Sequence, residues 1–255
     1  MIPAHKQARF NRLCREMLSQ RRTQGEAGIG TLGEKRMHAL VKRYLCEDPD
    51  CHEVGVRNTR YVSDVRIGNE VFEVQTGPFY PMRKKIDHYL TQTDCTVTVV
   101  HPIPVVKWIT KLSKEGEPLA PRVKSPKKGR PEDLLPELYC LLPHLGNPRL
   151  RFVLLLLEAE DVRIGSARAR NPRKNTALYE RLPLALLDEL VFSSPEDFRR
   201  FLPADLPKVF TVKQFSALTK IRGRDAYSAV RVLSALGLLR QAPPIGRAMA
   251  WEIIQ

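Results

Sequence analysis

A chain of 255 residues, 43% of them hydrophobic, is long enough for two compact domains or one domain with an appendage, and too apolar to be disordered throughout. Its formal net charge of +14 draws it to polyanions, of which nucleic acid is the commonest inside a cell. The five cysteines are odd in number and form no CxxC pair, which argues against a disulfide framework or a zinc ribbon; read as reduced thiols, they point to the cytoplasm, where association with the nucleoid is an option.

Residues 1–24 are basic, with Lys6, Arg9, Arg12, Arg15, Arg21 and Arg22 against Glu16. They lack the apolar core of a signal peptide and are expected as a short helix or a loose arm able to touch phosphate. The longest apolar run, 152–157, is too short to span a bilayer, so no membrane partner is expected. Thr31 and Glu34 have capping-box spacing, and Met37, Leu40, Val41, Tyr44 and Leu45 then recur at helical spacing. Strand-like stretches follow at 52–57, 60–67 and 70–76, the third broken by Pro78 and Pro81. A helix with Met82, Ile86, Tyr89 and Leu90 on one face and a β-branched run at 96–100 complete an α-β-β-β-α-β order.

Residues 105–160 read as an elaboration of the same domain. Strands at 105–112 and 118–123 can pair across Lys114–Glu115–Gly116, a basic loop covers 122–130 with Lys127 and Lys128, a helix is expected over 132–142, and 150–158 reads as a buried strand. The basic segment 163–181 is expected as a long loop. These boundaries give an N-terminal arm or helix at 1–24, a main domain at 25–192 and a smaller one at 193–255. In the last, a short helix at 195–202, a helix capped by Thr211 through 219, a helix at 226–236 ended by Gly237, and strands at 238–240 and 248–254 follow the order of a winged helix-turn-helix.

The chemistry concentrates in the run from Tyr61 to Gln75. Gly68–Asn69 suits a two-residue hairpin turn, and that register sets Asp64 directly opposite Glu73, with Cβ atoms about 4.5–5.5 Å apart. Two carboxylates so placed repel unless a cation lies between them, and Mg²⁺ or Mn²⁺ suits hard oxygen ligands that also meet substrate phosphate. Gln75 shares the face of Glu73 and can position a water, and the carbonyl of Val74 can add a ligand. Glu34 is either the acid of a capping box or a third acid turned toward the cation. The bland alternative for Asp64 and Glu73 is two acids on the solvated face of a hairpin. The six histidines show no metal-ligand spacing, and neither a phosphate-binding glycine loop nor a serine-hydrolase elbow occurs.

An α-β-β-β-α-β core with Glu34 in the first helix, Asp64 on the second strand and Glu73-Val74-Gln75 on the third resembles the PD-(D/E)XK nuclease superfamily, over residues 25–105. The fold this implies is α/β (α+β), a restriction-endonuclease-like core followed by the winged helix, a layout that also resembles a bacterial family. The resemblance implies Asp64 and Glu73 as metal ligands, Glu34 as an accessory acid, and Gln75 in the place of a lysine that orients the attacking water. Glutamine carries no charge, so the cation is expected from the next helix, where Lys85 is a better candidate than Lys84 because it flanks the inward face three residues past Met82. The implied activity is metal-dependent DNA cleavage; the alternative is a non-catalytic DNA-binding regulator with a degenerate nuclease-like domain. Nuclease dimers that cut two strands leave a homodimer open.

In the winged helix, Arg222, Arg224, Tyr227 and Arg231 lie at the start of the expected recognition helix and Arg247 at the wing tip, positions that meet bases and phosphates. Such modules also bind proteins, and basicity does not distinguish RNA from DNA.

Overall fold

The computed structural model describes residues 2–23, 36–56, 59–165 and 176–254. The chain is a mixed α+β protein. Its elements are α1 (Ala4–Thr23), α2 (Arg36–Leu45), β1 (His52–Gly55), β2 (Val62–Ile67), β3 (Glu70–Val74), α3 (Arg83–Gln92), β4 (Thr96–Leu112), β5 (Pro118–Lys124), α4 (Leu134–Leu138), β6 (Leu150–Gly165), β7 (Thr176–Phe192), β8 (Val209–Thr211), α5 (Val212–Thr219), α6 (Gly223–Ala235), β9 (Leu239–Ile245) and β10 (Ala248–Ile253). A large, mostly antiparallel sheet has the order β1-β2-β3-β4-β6-β7 with β5 on β4, and a small sheet has the order β8-β10-β9. Among the described residues, no helix is long and apolar enough to cross a membrane. Contacts divide the chain into two compact units, one of Met1–Ile67, His101–Gly129 and Leu154–Leu190, the other of Gly68–Val100, Arg130–Val153 and Val191–Gln255.

In the first unit the basic N-terminal segment is a helix and not a loose arm. Phe10, Leu13 and Cys14 of α1 are fully buried, and the Phe10 ring meets Tyr44 of α2 edge-on at 5.1 Å. Burying two such side chains stabilises by about 1.5–3 kcal/mol each, enough to hold α1 down. Several of its cations are already paired: Lys6 with Glu189 at 2.5 Å, Arg9 with Glu47 at 3.1 Å, Arg12 with Glu16 at 2.8 Å. The β1–β2 pair is antiparallel, with His52 opposite Val65 and Val54 opposite Ser63.

The same unit corrects three expectations. The segment 163–181 is not one long loop: β6 runs to Gly165 and β7 begins at Thr176. Its charges serve as cross-strand partners, Arg163 Nη2 donating to the Thr176 carbonyl at 2.6 Å and Arg181 Nε to Asp161 Oδ1 at 2.6 Å. The strand expected from 105 is the end of one strand from Thr96, which continues through Pro102 and Pro104. The basic loop expected at 122–130 is shorter, because Arg122 to Lys124 belong to β5, where the Arg122 guanidinium lies 4.4 Å from the centre of the Trp108 ring. What remains of the loop ends at Gly129, whose amide donates to the Pro104 carbonyl at 2.9 Å. A Cβ there would come within 2.6 Å of Ile103 Cγ2, so only glycine fits this approach.

In the second unit β3 and β4 are parallel, Glu73 level with Val99 and Val74 with Val100. Val97 and Val99 on one face and Thr98 and Val100 on the other are buried, as expected of a β-branched strand covered on both faces. The helix expected over 132–142 is divided into the 3-10 turn Pro131–Asp133, α4, and the 3-10 turn Tyr139–His144. Pro136 falls in the first turn of α4 and Pro143 within the second 3-10 turn, and neither donates a backbone hydrogen bond. Residues from 191 onward belong to this unit, and Phe192, Phe198 and Phe201 pack with Phe152 of β6, the Phe152–Phe198 centres 6.1 Å apart. Thr211 caps α5 with Gln214 in a capping box. The helix expected at 226–236 starts earlier, at Gly223, and a strand the sequence did not suggest, β8, precedes α5.

Candidate functional site

Glu73 is the most constrained of the expected site residues. It lies on β3 with only 4% of its surface exposed. A carboxylate taken out of water costs several kcal/mol unless it is paired and hydrogen-bonded. Both oxygens are met from α3: Lys85 Nζ is 2.5 Å from Oε2, and the Tyr89 hydroxyl donates to Oε1 at 3.0 Å. The helical spacing of Met82, Ile86, Tyr89 and Leu90, all buried, turns this face of α3 inward and leaves Lys85 on its flank. Lys85 therefore does reach Glu73, whereas Lys84 is exposed. Tyr89 was assigned from sequence only to the apolar face; its hydroxyl has the second role.

Gln75 follows β3. Its amide nitrogen Nε2 donates to the Pro78 carbonyl at 2.6 Å, and its backbone N–H to Val100 at 2.9 Å. The side chain thus fixes the exit from the strand. Val74 is buried and in register with Val100.

Asp64 lies on β2 in the other unit. His38 Nε2 of α2 stands 3.3 Å from its Oδ2, with both side chains partly buried. One turn on from His38, Lys42 is 5% exposed at its side chain and pairs with Glu53 at 2.5 Å. Glu53 has φ +52, a left-handed conformation unfavourable for a residue with a Cβ, and falls level with Asp64 between the paired positions of β1 and β2. The α2 face toward β2 therefore carries two cation-forming side chains against two acids. No local spacing announces the histidine, because its partner Asp64 lies twenty-six residues away. Glu34 itself lies outside the described residues.

The expected nucleic-acid contacts fall into both units. Lys127 and Lys128 are exposed in the loop after β5, where Ser125 Oγ accepts the Lys127 amide at 3.2 Å. In the other unit, Arg224, Tyr227 and Arg231 are exposed at i, i+3 and i+7 along α6 and share one stripe, with Arg222 at the N-cap. The Arg231 guanidinium leans over Trp251 at 6.0 Å. Arg247 is exposed in the two-residue turn Gly246–Arg247 between β9 and β10, with Gly246 at φ +61. Arg224 and Asp225 also line a cleft with Glu137 and Tyr139, so α6 is not a freely projecting helix.

Thiol chemistry is muted. Burial pushes the Cys14 thiol up to about 12, and a hydrogen bond with Cys46, then burial, pushes Cys51 up to about 11. Both remain protonated at neutral pH and are poor nucleophiles.

No curated protein and no solved structure matches the chain. One family profile, described as a domain of unknown function (DUF8091), matches residues 35–193. That stretch opens at α2, closes just past β7, contains Asp64, Glu73 and Lys85, and makes up more than half of the sequence. The chain belongs to the DUF8091 family.

Proposed function

We propose that this protein is a metal-dependent deoxyribonuclease of PD-(D/E)XK type, with the segment from 193 onward acting as a winged helix-turn-helix that holds duplex DNA. The observation that carries the reading is Lys85 on Glu73 at 2.5 Å. A buried strand carboxylate met by an ammonium group from the following helix supplies the charge that Gln75 lacks. An antiparallel β1–β2 pair, a parallel β3–β4 pair and helices before β1 and between β3 and β4 support the restriction-endonuclease-like core. A strand, two helices and a hairpin in a β8-β10-β9 sheet, with Arg247 at the tip, support the winged helix.

In this reading Asp64 and Glu73 are the acids that would hold the metal, as the sequence register of the Gly68–Asn69 turn implies; among the described residues no group of three or more His, Cys, Asp or Glu is gathered for an ion. Hard carboxylate oxygens steadied by His38 on one residue, and by Lys85 and Tyr89 on the other, suit Mg²⁺ or Mn²⁺. Such an ion, when bound, supplies Lewis acidity toward the phosphate and lowers the pKa of water. Lys85 would balance charge and orient the attacking water, and His38, 3.3 Å from Asp64 Oδ2, would hold that carboxylate in place.

One observation favours the alternative, a DNA-binding regulator without catalysis: the amide of Gln75 is committed to Pro78. Supercoiled plasmid and a branched duplex incubated with Mg²⁺, Mn²⁺ or EDTA separate the two. Metal-dependent nicking that disappears in Asp64→Ala is the expected result. Binding without cleavage, unchanged by that substitution, refutes the nuclease and leaves the regulator.

A further inference from the structure

Two adjoining clefts in the second unit lie outside the Glu73 cluster. The first encloses about 290 Å³ between Tyr80, Tyr139 and Cys140 on one side and Arg224, Asp225 and Ser228 of α6 on the other. The second, about 390 Å³, shares Glu137 and Asp225 with the first and continues to Lys220 and Arg222. Tyr80 is 61% exposed and Tyr139 39%. Exposed aromatic rings are apolar surface left in water, and these two border one cavity. Tyr80 is also held in place: the Arg83 guanidinium lies 3.8 Å from the ring centre, and Arg83 Nη1 reaches the Tyr80 carbonyl at 3.5 Å. One face of the ring thus carries a cation while the side chain stays largely open.

The polar groups divide by sign. Arg224, Arg222, Lys220 and Arg130 line the clefts, Arg83 stands beside them on Tyr80, and the acid Asp133 is paired with Arg130 at 3.0 Å. Glu137 is already engaged, its Oε2 accepting the Phe79 amide at 2.9 Å. Asp225 and Ser228, three residues apart on α6, share one face and offer an acceptor and a hydroxyl inside the first cleft. Burial, then Glu137, pushes the Cys140 thiol up, so that wall is neutral. A planar ring with a hydrogen-bonding edge and an attached anion satisfies rings, edge groups and rim together.

We propose that these clefts bind an unpaired nucleotide of a DNA strand, its base against Tyr80 and Tyr139, its edge toward Asp225 and Ser228, and its phosphates along Arg83, Arg224 and Arg222. The proposal rests on the nucleic-acid reading above and deepens it: the substrate held here carries an unstacked base, as at a bulge, branch or end.

The test uses the full chain in EDTA, where no metal-dependent cleavage occurs. The probes are a duplex with one unpaired 2-aminopurine, the same duplex fully paired, and free dAMP. Wild-type protein is expected to change the 2-aminopurine emission and to prefer the bulged duplex. Loss of base stacking in Tyr80→Leu and Tyr139→Leu is expected to weaken bulged-duplex binding by roughly 5- to 100-fold, with paired-duplex binding within about twofold. Tyr80→Phe keeps the ring and is expected to restore affinity, which controls for misfolding. Equal losses on both duplexes, or none, overturn the site. Displacement of the probe by dAMP at equal concentration makes a free nucleotide the ligand and overturns the strand assignment. Cleavage with Mg²⁺ is scored separately: a wild type that nicks DNA while Tyr80→Leu binds the bulge normally loses this site and keeps the nuclease, and one that never nicks while Tyr80→Leu loses the bulge does the reverse.

Discussion

Lys85→Met tests the pairing on which the functional reading depends. Glu73 is 4% exposed and Lys85 19% at its side chain, so neither charge is well solvated in their 2.5 Å contact. Removing one partner of a buried pair costs about 3–5 kcal/mol, because the other charge is left in the interior. The partial exposure of Lys85 and the surviving Tyr89 hydroxyl at 3.0 Å favour the lower end, about 3 kcal/mol. With a urea m-value of about 2–3 kcal/mol/M, the unfolding midpoint falls by roughly 1 M. Methionine keeps the length of the stem, so lost packing contributes little. In Lys85→Met with Glu73→Gln the stranded charge is gone, and most of the loss is expected to return, to within about 1 kcal/mol of wild type. Urea unfolding followed by circular dichroism gives all four corners of the cycle. A single variant within about 0.5 kcal/mol of wild type, or a double variant as unstable as the two singles added, refutes the buried pair.

Asp197 accepts from the Ser193 and Ser194 amides at 2.9 and 2.8 Å; burial pushes its pKa up, but these amides and the serine hydroxyls outweigh it and hold the value below the ordinary 3.8. The stabilisation is therefore present above 3.8 and lost as pH falls through the depressed folded value, so Asp197→Asn is expected to cost about 1 kcal/mol at pH 7 and progressively less in acid, read by thermal unfolding across a pH series. Gly129→Ala places a methyl group 2.6 Å from Ile103 Cγ2 and 3.1 Å from the Pro104 carbonyl, and a loss of about 1–3 kcal/mol is expected; an unchanged melting temperature refutes that packing. Arg247→Ala is expected to weaken duplex binding equally across sequences and to lower the salt slope of log K by about 1, as measured by fluorescence anisotropy from low to high salt.

What could be read from the sequence was governed by local chemistry. The turn at Gly68–Asn69, the inward face of α3 and the Thr211 cap depend on residues within one or two turns of each other, and each is found in the structure. The position of Lys85 followed from the same helical arithmetic. β7 was obscured because its polar start reads as loop: the partner of Arg181 is Asp161, twenty residues away, and no local pattern announces that pair. His38 was missed for the same reason, since Asp64 lies twenty-six residues from it. The clefts beside α6 join residues from 80, 136–140 and 224–228, a conjunction no periodicity carries.

Gln75 and Lys85 together bear on how much of the motif a site of this type needs. What Glu73 requires is a nearby cation, and a lysine stem is long enough to supply one from the strand or from the helix beside it. With Lys85 there, a second lysine at 75 would add a charge beside the same carboxylate and would also give up the bond that Gln75 makes to Pro78 at 2.6 Å. That bond steadies the turn leading into Phe79 and Tyr80, and Tyr80 lines the proposed base-binding cleft. In the proposed reading glutamine at 75 links the strand that carries Glu73 to the aromatic residue beyond it. Gln75→Lys is then expected to disturb binding of an unpaired base more than it aids cleavage, the opposite of what simple repair of a degenerate motif would give.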